Sequence, residues 1–108
     1  MINIIFYNRK LGGCPKRITV SGHAGYDVEG QDIVCAAVSA LTINLANSIE
    51  NLTDTVCDIS SDDGLIDIVF GATVDEKCDL LIASYRLGIE SIIEAYTSSF
   101  IKIETKEV

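Results

Sequence analysis

Asp32-Ile33-Val34-Cys35-Ala36-Ala37-Val38-Ser39-Ala40-Leu41 is the stretch on which the reading of the whole chain turns. At about 100° per residue, Val34, Ala37, Val38, Leu41, Leu45 and Ile49 fall on one arc. Asn44, Asn47, Glu50 and Asn51 lie across from them. The pattern predicts an amphipathic helix over 33–51, with Asp32 as its N-cap. Cys35 then occupies the third helical position, near the border of the apolar arc, with Ser39 and Thr42 beside it.

Upstream, residues 2–7 (INIIFY) are β-prone, and 17–22 alternates, with Ile18 and Val20 on one face and Arg17, Thr19 and Ser21 on the other. The turn residues Gly12, Gly13 and Pro15 between them predict a β-hairpin over 2–22. Residues 22–31 read as a glycine-punctuated loop. Downstream, 55–60 alternates, Asp63-Gly64 is a hairpin turn, and 65–70 returns as a strand. A second helix is expected over 74–97, carrying Val74, Cys78, Leu81, Ile82, Tyr85, Ile89, Ile92, Ile93 and Tyr96 at three- and four-residue steps. Gly88 within it suggests a close contact. A last strand follows over 100–105. The order β-β-α-β-β-α-β predicts an α+β fold, with two helices packed on a mostly antiparallel sheet. Uncovered sheet edges make a homodimer the expected assembly.

The chain has 108 residues, room for a single domain over 1–108. With 48% hydrophobic residues it can bury a core and is not a disordered tail. No apolar run reaches the roughly 18 residues expected of a membrane span, and the N-terminus lacks the basic flank and cleavage site of a signal peptide. The expected location is the cytoplasm. Sixteen acidic against eight basic residues give a net charge of −8, which argues against direct nucleic-acid binding and favours cationic partners. The basic group Arg9, Lys10, Lys16 and Arg17 reads as solvated loop.

Cys14, Cys35, Cys57 and Cys78 include no Cys-x-x-Cys pair, and His23 is the sole histidine, so neither a disulfide framework nor a zinc site is expected. Cys57 and Cys78 read as core residues, and Cys14, before Pro15, as an exposed bystander. Cys35 is different. Near a helix start, unpaired N–H groups and the positive end of the dipole favour a thiolate, which is the nucleophilic form. His23 precedes a loop of roughly eight residues, long enough at about 3.5 Å each to return over that helix start. There its imidazole could take the thiol proton. Each residue also has a structural reading: Cys35 as a small core side chain, His23 as a loop residue, Asp32 as a cap, and Gly22, Gly25 and Gly30 as turn formers. Two other readings therefore stay open. One is a non-catalytic ribosome-assembly or protein-binding module, and the other is a thiol-redox protein, which needs a resolving cysteine.

Gly22-His23-Ala24-Gly25-Tyr26 followed by Asp32-Ile33-Val34-Cys35-Ala36-Ala37-Val38-Ser39 closely resembles the signature of the ribosomal-processing cysteine protease family, and the element order and acidic character fit it along the whole length. The resemblance implies a homodimeric, cytoplasmic cysteine endopeptidase without cofactor or metal. It would remove the N-terminal extension of a large-subunit ribosomal protein, number twenty-seven in the usual scheme, before ribosome assembly. It implies Cys35 as nucleophile, His23 as general base, Asp32 as a supporting acid, and Gly22 as a hinge of a loop over the site, with Gly25 and Gly30 further along that loop.

Overall fold

The expected order of elements is present: β1 (Ile2–Asn8), β2 (Arg17–Ser21), α1 (Gln31–Leu52), β3 (Cys57–Asp62), β4 (Leu65–Phe70), α2 (Glu76–Tyr96) and β5 (Ile101–Glu107). The structure is a computed structural model that describes residues 1–10, 12, 14–22, 31–62, 64–71, 76–96 and 100–108, with Gln31 and Asp32 described in backbone only. The strands form one sheet in the order β3-β4-β2-β1-β5. The β1–β2, β2–β4 and β3–β4 pairings are antiparallel, and β1–β5 is parallel.

Register follows the alternation of the strands. Ile4 faces Val20, Phe6 faces Ile18, and Ile18 in turn faces Ile68. A side-chain period of two sends this whole set to one side. There it packs with Val34, Val38, Leu45, Ile49, Tyr85 and Ile89 of the helices in one buried cluster. The opposite face of the sheet carries the Arg17–Asp67 ion pair, whose Nη2–Oδ2 distance is 2.5 Å, and the Lys102–Glu104 pair at 2.9 Å. Bonding to Lys102 holds the Glu104 carboxyl below its ordinary value.

The buried arc of α1 differs from the predicted one. Val34, Val38, Thr42, Leu45, Ala46 and Ile49 are buried, while Ala37 and Leu41 sit at its edge. Thr42 belongs inside because its hydroxyl is satisfied: it donates to the Val38 carbonyl at 2.7 Å and bonds the Tyr85 hydroxyl at 2.8 Å. That bond joins α1 to α2. The two helices come close at Gly88, where a Cβ would stand 2.9 Å from Leu41 Cδ1.

Four expectations need correction. First, Ile33–Leu52 is, by length and composition, apolar enough to cross a bilayer. A third of that window (33%) is buried inside the structure. In the fold this segment is the core helix, with its buried arc against the sheet and α2. Second, Arg9 is structural rather than solvated, and Arg17, though exposed, lies on β2 rather than in a loop. Arg9 donates from Nε to the Cys14 carbonyl at 3.1 Å, and from Nη2 to the carbonyls of Phe70 and Gly71 at 3.3 and 3.0 Å. Arg9 thereby pins the β1–β2 turn to the end of β4. Third, Cys14 is buried, because that turn folds back against α2. Fourth, α1 begins two residues earlier than expected, at Gln31, so Asp32 is its second residue rather than its cap.

Candidate active site

Cys35 lies in the second turn of α1 as a free, half-buried thiol. Helical Cα–Cβ bonds tilt towards the N-terminus, so the side chain leans back over the first turn, whose N–H groups have no partner within the helix. The early start at Gln31 therefore moves Cys35 off the first turn but keeps those donors beneath it. Val38, Ser39 and Ile43 continue its face of the helix and, with Cys35, line one side of a cleft of about 340 Å³.

The rest of the cleft is the end of the sheet. Ile2, Val20 and Gly22 come from β1 and β2, and Ser61, Asp62, Gly64, Leu65 and Ile66 from the β3–β4 hairpin. Gly22 holds these parts in place. Its N–H donates to the Gly64 carbonyl at 3.0 Å, and its φ is +104°. A Cβ there would overlap the Met1 carbonyl oxygen, so only glycine lets the chain leave β2 this close to β1. Gly64 has a φ of +73°, as the Asp63-Gly64 turn requires.

His23, Gly25 and Gly30 fall outside the described residues, as does the side chain of Asp32. Of the residues singled out from sequence, the structure thus brings Cys35 and Gly22 to one cleft. Sequence reasoning missed Ser61, Asp62, Leu65 and Ile66 as cleft residues. The turn at Asp63-Gly64 was visible, but its position beside Gly22 depends on the β2–β4 pairing, in which Ser21 faces Leu65. No local pattern reports that pairing.

The other three thiols are built differently. Burial pushes Cys57 up to about 11, with Glu50, Cys78 and Asp58 adding to the rise. Burial, Cys78 and Asp79 push Cys14 up further still. Among the described residues, no group of three or more His, Cys, Asp or Glu side chains is placed to hold a metal ion.

A sequence model of the cysteine protease Prp family matches residues 1–102. The ribosomal processing cysteine protease Prp of Staphylococcus aureus (strain Mu50) is 31% identical over 84 residues, which is 76% of this chain and 79% of that protein. A crystal structure of a Staphylococcus aureus ribosomal processing protease Prp with a substrate peptide superposes with a TM-score of 0.87 at 28% identity, covering 98% of this chain and all of that one. The same enzyme with a covalently linked product peptide gives 0.84 at 29% identity and 98% of this chain. The family model and these relatives make the chain a cysteine protease. The chain belongs to the Prp family of ribosomal-processing cysteine proteases.

Proposed function

We propose that this chain removes the N-terminal extension of a ribosomal protein precursor, that of large-subunit protein twenty-seven, with Cys35 as nucleophile. The observation that carries this reading is the placing of Cys35: it is the one cysteine on the cleft, while Cys14, Cys57 and Cys78 are buried elsewhere. The covalently linked product peptide of the Staphylococcus aureus relative is what a nucleophilic mechanism would leave behind.

In this reading the Cys35 thiolate attacks the scissile carbonyl, and first-turn N–H groups of α1 receive the developing oxyanion. His23 takes the thiol proton, delivers it to the leaving amine, and then activates the water that frees the acyl-enzyme. Asp32 supports the charge on His23, a role left free because the helix starts before it. Gly22 is the fixed end of the loop that carries His23, and Gly25 and Gly30 allow it to cross the cleft. The extended substrate lies between Ile43 of α1 and the β3–β4 hairpin. Neither cofactor nor metal enters the chemistry, and nucleic acid is not a partner. The chain works as a single catalytic domain in the cytoplasm, where the precursor is made, and pairs with a second copy.

Intact-mass analysis of the precursor from the same host tests the proposal. Incubation with the wild type should release one defined N-terminal segment, and Cys35→Ala should release none. No cleavage by folded wild type of a precursor that carries the extension would overturn it, and leave the fold serving as a protein-binding module.

A further inference from the structure

Three cysteines take no part in the proposed chemistry, and two of them touch. The Sγ atoms of Cys14 and Cys78 lie 2.7 Å apart, with the residues 2% and 0% exposed. A disulfide bond is about 2.0 Å long, so the two sulfurs need to approach by less than about 1 Å. The contact joins distant parts of the chain: the turn between β1 and β2, and the first turn of α2. It also sits far from the cleft. The Cys14 carbonyl and the Phe70 carbonyl share the Arg9 guanidinium, which places the pair at the Phe70 end of β4, opposite the Leu65 end that lines the cleft.

We propose that Cys14 and Cys78 are a redox-reversible cross-link site, separate from Cys35, which ties the β1–β2 turn to α2 when a disulfide oxidant is present. With glutathione disulfide, two protein S–H bonds and the glutathione S–S bond break, while one protein S–S bond and two glutathione S–H bonds form. The first thiol attacks a glutathione sulfur and expels one glutathione. The second attacks the resulting mixed disulfide and expels the other. The reaction is slow, because both sulfurs are reached only through local opening and burial leaves little of Cys14 as thiolate. In a reducing compartment the pair stays open. The site supplies the resolving thiol that a redox reading of the sequence lacked, but it supplies it to Cys78 rather than to Cys35.

The test uses the intact chain and its Cys35→Ala variant with glutathione disulfide, followed by alkylation under denaturing conditions and mapping of the linked peptides. The expected product is a single Cys14–Cys78 cross-link, formed at the same rate in both proteins. It should be reversed by dithiothreitol and raise Tm by roughly 5 °C or more. Full alkylation of Cys14 and Cys78 after Cys35 has been completely modified would overturn the proposal. So would a cross-link through Cys57 or Cys35, or an unchanged Tm in the cross-linked form.

Discussion

At the Gly22–Gly64 end of the sheet a half-buried thiol, Cys35, lines an open cleft. At the Asn8–Phe70 end Cys14, Cys57 and Cys78 are buried, and Cys14 and Cys57 are pushed up by that burial. The side chain is the same; the surroundings divide the work. The cleft end is held by a glycine whose backbone has no room for a side chain, and the far end by an arginine that binds three carbonyls. One end leaves a thiol at the edge of a cleft, and the other spends its polar groups on closing the structure.

The sharpest way to break that contrast is chemical. Under native conditions iodoacetamide should label Cys35 at least about a thousandfold faster than the buried three, which react only through opening. Peptide mapping over time measures this, and comparable rates at all four positions would erase the distinction. Next in size is Gly22→Ala. It combines a left-handed backbone with overlap against Met1, and should cost about 2–4 kcal/mol in urea unfolding. A loss below about 0.5 kcal/mol would show that the cleft end adapts to a side chain there.

The smallest effect concerns Tyr85, whose ring meets that of Phe6 in a tilted contact at 6.1 Å. Burial raises its phenol from 10.0 to about 12, against the opposing effect of its hydrogen bond with Thr42. A raised folded value means that its contribution is complete below pH 10 and is lost as the pH climbs from about 10 towards 12. The loss is on the order of 2 kcal/mol. Tyr85→Phe should flatten that alkaline fall while costing about 1 kcal/mol at neutral pH through the lost Thr42 bond. An unaltered alkaline limb in the variant would assign the fall to other groups.

What could be read from sequence follows the range of the forces involved. Both helices, the β3–β4 hairpin with its Gly64 and the inward set of Ile18 and Val20 are local patterns, and they stand as expected. Gly88 also announced its contact with Leu41. The misses are contacts between distant segments. Cys14 looked exposed because nothing near it in sequence reveals that its turn meets α2. Arg9 looked solvated because two of its acceptors lie beyond residue 69. Thr42 looked like a border residue because its partner, Tyr85, is on the other helix. The boundary of α1 differed for another reason: helix ends carry an uncertainty of one or two residues in any pattern, and Asp32 suits a first turn as well as a cap. The cleft was half visible, since Cys35 and Gly22 stood out while the hairpin that completes it did not.

The parallel pairing of β1 with β5 carries a consequence for how the protein comes into being. Ile2 is aligned with Ile101, and Ile4 with Ile103, so an inner strand of the sheet waits for a neighbour far along the chain. During synthesis the β1–β2 hairpin and α1 emerge early, yet one edge of β1 has nothing to pair with until β5 leaves the ribosome. Contacts between such distant segments are slow to form, because the loop must close before any of them is made. Until then the Ile2–Ile4–Phe6 row is a sticky, half-finished surface of the kind that aggregates or recruits chaperones. The arrival of β5 therefore closes the one edge of β1 that β2 leaves open.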